Sequence, residues 1–246
     1  MHIGYHTWWS RDLEQEMELK VYGHAGKPLL VFPTQEGRFF EFEDFGMVTV
    51  AEPWIEDGRL RLITVDSVDA QSWTHPSLSV PERFQRYEAY MRYIQQDVVP
   101  FIHETAGSTE TGIGVTGCSM GAYHAANFFF RYPETYDALL AISGVYRLKL
   151  FIGDYMDDQV YFHTPLAYLP ALTDPHYLEL YRRAQIIISV GQGDWEDPML
   201  EDTRALKAIL DQLDVPSWID IWGHDVNHDW PWWRKKMAYF LLHLKI

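Results

Sequence analysis

Three short stretches of this chain are apolar almost throughout: Pro28–Phe32 (PLLVF), Ala138–Ser143 (ALLAIS) and Gln185–Gly191 (QIIISVG). Each is too short for a buried helix. A strand with no polar side has no face to turn to water, so it must be covered on both faces. Between these runs the apolar spacing becomes helical. From Pro81 onward, Phe84, Tyr87, Met91, Ile94, Val98 and Phe101 recur every three or four residues, and Gly107 follows;. Ser119–Tyr132 is a helix with small residues, Ala122, Ala125 and Ala126, on its inner face. Leu200, Thr203, Leu206, Leu210 and Leu213 mark another helix, and Pro231–Ile246 a last one, with a weaker pattern over Asp44–Asp57. Further strands are expected at Glu16–Tyr22, a polar–apolar alternation suited to a sheet edge, and at Arg59–Asp66, Gly112–Gly117 and Ser217–Trp222;. Strands separated by helices predict an α/β fold, a mainly parallel sheet with helices on both faces. Residues 146–183 are less regular. No repeat or linker divides the 246 residues, so a single domain over residues 1–246 is expected;.

The net charge of −15 sets the chain against phosphate backbones, so nucleic acid is not an expected partner;. No apolar run approaches the roughly 18–20 residues that span a bilayer, and no membrane association is expected. The N-terminus lacks a basic start followed by an apolar core, which makes a cytoplasmic location the expectation. The one cysteine, Cys118, cannot form an internal disulfide or a metal cluster;. Ten tryptophans, clustered at Trp8–Trp9 and Trp230–Trp233, are read as packing residues, with a stacking surface around a substrate as the rival;.

In such a sheet, sites lie just beyond the carboxyl ends of the strands. There, Gly117-Cys118-Ser119-Met120-Gly121 fits G-x-S-x-G. A sharp strand-to-helix turn forces the serine into a strained conformation, and the flanking glycines remove the side chains that would collide. The hydroxyl is lifted above the sheet, facing the positive end of the following helix. Ser119 is therefore the candidate nucleophile, and Cys118 a small apolar filler. A serine needs a base. After a turn of this kind the acid and the histidine follow in that order. The loop GQGDWEDPML offers Asp194, Asp197 and Glu196 as the acid, taken in that order of preference, with Asp197 best suited to cap the next helix. The stretch WGHDVNHDWPWW offers His228, just before the last helix, ahead of His224. A metal pair on these two histidines lacks the expected glutamate, and Pro231 breaks the helix it would need. The backbone N–H of Met120 is the natural first oxyanion donor, and that of Gln35, in the loop PTQEG after PLLVF, the second.

These segments resemble the "Putative esterase" family of the α/β-hydrolase fold, which includes esterase D (S-formylglutathione hydrolase), enterochelin-esterase-like proteins, feruloyl esterases and mycolyltransferases. The resemblance rests on GCSMGAYHA, FRYPETYDALLAISG, GQGD and HDWPWW. It covers nearly the whole chain and is strongest from about residue 112. Such a resemblance implies a compact hydrolase with a small or absent lid, acting without a cofactor on a small-molecule carboxylic ester through an acyl-enzyme on Ser119. FPTQEG departs from the histidine–glycine pair of many relatives. The same triad would also serve an acyltransferase, and a non-catalytic binding protein could keep the fold.

Overall fold

The computed structural model describes residues 1–108 and 112–245. Eight strands form one sheet: β1 (Ile3–Ser10), β2 (Gln15–Tyr22), β3 (Lys27–Phe32), β4 (Leu60–Val65), β5 (Ile113–Cys118), β6 (Tyr136–Ile142), β7 (Gln185–Val190) and β8 (Trp218–Ile221). Their order is β1-β2-β4-β3-β5-β6-β7-β8. From β4 to β8 every neighbouring pair is parallel, whereas β1–β2 and β2–β4 are antiparallel. β1 is a strand the sequence reading did not anticipate. IGYHTWWS carries aromatic and polar residues on both faces, so it shows no clean period of two.

The apolar strands divide their side chains between two cores, as the alternation of a pleated strand requires. Leu30, Phe32, Val115, Leu139, Ala141, Ile186 and Ile188 enter one core. Leu29, Val31, Leu140, Ile142 and Ile187 enter the other. Helices α1 (Glu41–Asp44) and α2 (Met47–Glu56) cover the second face together with the C-terminal helix. Helices α3 (Val80–Tyr93), α4 (Val99–Ala106) and α5 (Met120–Arg131) cover the first. The single helix expected from Pro81 to Gly107 is broken by a π-turn at Ile94–Val98. Pro100 has no N–H to give and crowds the carbonyl four residues back, which accounts for the widened turn just before it.

The irregular segment after β6 holds short helices α6 (Lys149–Ile152), α7 (Asp158–Phe162), α8 (Pro165–Tyr168) and α9 (Pro175–Arg183). A cavity of about 280 Å³ lies within it, lined by Leu148, Ile152, Met156, Val160 and Leu166 among others, and by none of Ser119, Glu196 and His228. Helices α10 (Asp197–Gln212) and α11 (Trp230–Leu241) complete the chain. The last expected helix thus ends before Ile246, which lies outside the described residues. Among the described residues, no helix is long and apolar enough to cross a membrane.

Candidate active site

β5 ends at Cys118 and α5 begins at Met120, so Ser119 alone makes the corner. Its φ of 55° and ψ of −121° lie in a region that costs a non-glycine residue about 1–3 kcal/mol;. Three backbone bonds hold it there. Its N–H donates to Ile142 O at 3.0 Å, and its carbonyl accepts from Ala122 and Tyr123 at 3.0 and 3.3 Å. The glycines are required by contact. A Cβ at Gly117 would come within 2.3 Å of the Gly121 carbonyl carbon, and one at Gly121 within 2.4 Å of Phe32 O and 2.5 Å of Pro33 O. The turn can be this tight only without side chains at either position, and the Phe32–Pro33 backbone lies directly against the start of α5.

His228 stands just ahead of α11, whose first N–H is capped by Asp229 at 2.7 Å. Its Nε2 is 2.9 Å from Ser119 Oγ. Its Nδ1 faces Glu196 Oε2 at 3.3 Å. The ring packs edge-on against Trp233, with centroids 4.9 Å apart. His224, the second choice for the base, is exposed.

The carboxylate on the histidine is therefore that of Glu196. This corrects the expectation of Asp194. Two loops, 191–196 and 222–228, are laced together by backbone bonds: Gln192 N–H to Gly223 O, Gly193 N–H to Val226 O, and His228 N–H to Asp194 O at 3.0 Å. Asp194 also donates its N–H to Asn227 Oδ1 at 2.9 Å. Its contribution is backbone, and the residue is exposed. Trp195 then adopts a φ of 67°. Beyond this reversal Glu196 is fully buried while Asp197 is exposed. Asp197 is not the helix cap either, because α10 starts at Asp197 and Glu196 holds the capping position.

Glu196 is ringed by donors. Oε1 accepts from Ser143 Oγ at 2.6 Å and from Gly191 N–H at 3.3 Å. Lys236 Nζ, fully buried on α11, lies 3.8 Å from the same oxygen. Burial is the largest influence on this carboxyl and pushes it up. The hydrogen bonds from His228 and Ser143 and the charge of Lys236 together outweigh burial and hold it below the usual carboxylate range;. Burial in turn pushes the Lys236 ammonium down to about 8, against the raising influence of Glu196. Cys118 is buried, and burial pushes its thiol well above the ordinary range, so it is no rival nucleophile;.

Among the described residues, the two N–H groups expected to bind an oxyanion have no acceptor. Met120 N–H opens α5, where a helix has no internal acceptor to offer, and none is supplied from outside among the described residues;. In the loop after β3, Thr34 N–H donates to Glu41 Oε2 at 2.8 Å, Glu36 N–H to Asp69 Oδ2 at 3.2 Å and Gly37 N–H to Thr34 O at 2.8 Å. Within the turn of residues 34–37, Gln35 N–H is the one with no acceptor among the described residues.

A strained serine, a histidine in hydrogen-bond reach and a buried carboxylate behind it form a relay able to move the serine proton. The model of the "Putative esterase" family matches residues 10–244. The chain belongs to this esterase family. Ester hydrolysis is accordingly the class of activity of this esterase. Its structure is similar to that of a ferulic acid esterase, at 14% identity and a TM-score of 0.75, over 98% of this chain and 96% of the other. It is similar to S-formylglutathione hydrolase from Staphylococcus aureus at 15% identity and a TM-score of 0.70, over 98% and 96% of the two chains. The enterobactin esterase of Shigella flexneri matches at 19% identity and a TM-score of 0.67, covering 99% of this esterase but 59% of that longer chain. These likenesses establish the α/β-hydrolase fold. No curated protein matches the sequence.

Proposed function

We propose that the esterase cleaves small-molecule carboxylic esters through an acyl-enzyme on Ser119. The observation that carries this reading is the unbroken path from Ser119 Oγ through His228 to Glu196, with separations of 2.9 and 3.3 Å. His228 Nε2 takes the hydroxyl proton as Oγ adds to the ester carbonyl. Glu196, an ionised carboxylate, accepts the Nδ1–H, keeps the ring in the right tautomer and stabilises the imidazolium. The carbonyl oxygen, now negative, is received by the N–H groups of Met120 and Gln35 and by the positive end of α5. Collapse of this intermediate expels the alcohol, which takes the proton from His228. Water then adds to the acyl-enzyme by the same relay and releases the acid. No atom in this sequence requires a cofactor.

The test is covalent labelling with a fluorophosphonate, followed by peptide mass spectrometry. The adduct is expected on Ser119. Hydrolysis of nitrophenyl esters across acyl lengths is expected to be lost in Ser119→Ala. An adduct on another residue, or a fully active Ser119→Ala, would overturn the reading.

A further inference from the structure

A second buried histidine–carboxylate pair lies beneath the site, and the catalytic steps above make no use of it. His124 sits on α5, five residues after the nucleophile, and Asp69 lies in the connection after β4. Their side chains are 0% and 1% exposed. His124 Nε2 is 3.0 Å from Asp69 Oδ1. A carboxylate only accepts, so Nε2 carries the proton. In the neutral imidazole Nδ1 is then an acceptor, and Tyr87 O–H, 2.9 Å away, supplies the hydrogen;. Asn127 donates in turn to the Tyr87 oxygen at 3.3 Å. Both ring nitrogens of His124 and the Tyr87 hydroxyl thus have partners, whereas Asn127 Oδ1 is buried without one among the described residues.

The other oxygen of Asp69 leads back to the site, accepting the N–H of Glu36. The loop there is a turn closed by Gly37 N–H on Thr34 O, with Gln35 and Glu36 as its central residues. Glu36 has a φ of 59°. A positive φ at the third turn position usually calls for glycine, so a glutamate there needs an outside hold. Asp69 provides it by fixing the peptide between Gln35 and Glu36. On the other side, Glu41 fixes the peptide between Pro33 and Thr34, accepting both the N–H and the hydroxyl of Thr34 at 2.8 and 2.6 Å. The peptide between these two is the one that carries the Gln35 N–H.

We infer that the Asp69–His124 pair is a positioning device for the oxyanion hole. It ties the loop bearing the Gln35 N–H to the helix bearing Ser119, so that donor and nucleophile keep one relative placement as charge develops. The inference rests on the reading of Gln35 N–H as the second donor. Asp69 and His124 act through that N–H and are not themselves catalytic residues. A misplaced donor weakens the transition state more than the bound ester, because the ester oxygen is neutral until attack.

The experiment is a double-mutant cycle of Asp69→Ala and Gln35→Pro, read by kcat and KM on a nitrophenyl ester and by inhibition with a trifluoromethyl ketone, whose hemiketal carries an oxyanion. Gln35→Pro removes the donor and is expected to lower kcat by roughly 10²–10³. Asp69→Ala is expected to lower kcat by about 10–10², with KM within about threefold, and to weaken the ketone in step with kcat/KM. In the Gln35→Pro background Asp69→Ala should add less than about threefold. Asp69→Asn keeps an oxygen for Glu36 N–H and should recover most of the loss. Thermal unfolding accompanies each variant. If Asp69→Ala does not fold, Asp69→Ser, too short to span His124 and Glu36, takes its place in the cycle.

A costly Gln35→Pro combined with a fully active Asp69→Ala would overturn this inference and leave Gln35 as donor. So would losses that multiply in the double variant, since Asp69 would then act by another route. A fully active Gln35→Pro would overturn the donor reading itself, and this inference with it.

Discussion

His228 Nδ1 meets Oε2 of Glu196, a residue whose other oxygen is held by Ser143, Gly191 and the buried ammonium of Lys236. Both oxygens of that carboxylate are thus engaged. A carboxylate with no exposed surface keeps its charge only under such conditions. The histidine thereby faces a permanent negative partner, and the consequences are measurable.

Glu196→Gln is expected to lower kcat by about 10³–10⁴, the scale seen when a triad carboxylate becomes an amide. Asp194→Asn leaves the backbone bonds to His228 and Asn227 in place and should stay within about fivefold of the parent. Steady-state hydrolysis of a nitrophenyl ester by the two variants decides between the carboxylates. A crippled Asp194→Asn beside an active Glu196→Gln would return the role to Asp194.

The two histidines after β8 should separate as sharply. His228→Ala removes the group 2.9 Å from Ser119 Oγ and is expected to cost at least about 10³ in both kcat and the fluorophosphonate labelling rate;. His224 is exposed, and His224→Ala should change neither by more than about twofold. The reverse pattern would reassign the base.

Lys236 gives the stability of the fold a pH dependence of known sign. Its pKa is about 8 in the folded protein, against 10.5 ordinarily. Between these values the unfolded chain binds more protons, so this group makes stability rise with pH from about 8 upward. Below pH 8 both states are protonated and its contribution is flat. The groups that face it are Glu196, Cys118 and Asp220, with the Trp222 ring 5.7 Å from Nζ. Urea unfolding of the parent and of Lys236→Met at pH 7, 8, 9 and 9.5 should show the difference between them changing in the parent's favour above pH 8. Buried tyrosines, raised by their own burial, oppose this only near and above pH 10, and both proteins share them. A constant difference across the series would contradict the assignment.

Gly121→Ala should damage stability and activity together. The new methyl would lie 2.4 and 2.5 Å from the Phe32 and Pro33 carbonyl oxygens, both backbone atoms that cannot swing aside. A loss of about 1–3 kcal/mol in unfolding free energy is expected, the usual scale of overpacking. A fall in kcat should accompany it, because the displaced backbone leads straight into Gln35. Unchanged thermal unfolding and kcat would show that the loop does not rest on the turn in this way.

The sequence by itself determined the sheet and the serine. Continuous apolar runs such as PLLVF admit one role, a strand buried on both faces, and a serine between close glycines at a strand–helix corner admits few others. These are local signals, set by the period of the backbone and by the space beside one Cα. What lay beyond local signals was decided by tertiary structure. Asp194, Glu196 and Asp197 stand within four residues of one another, and nothing in their spacing says which turns inward. The reversal at Trp195 does, and it depends on the lacing of that loop to the one after β8. The strand β1 was hidden for a related reason, since its aromatic residues face both ways and its place comes from pairing with β2. His124 and Asp69 are 55 residues apart, and no sequence pattern pairs them. Their meeting, like that of Lys236 with Glu196, exists only once the sheet has brought helix and loop together. A buried charge reveals its purpose through its neighbours in space, and the chain does not write those neighbours next to one another.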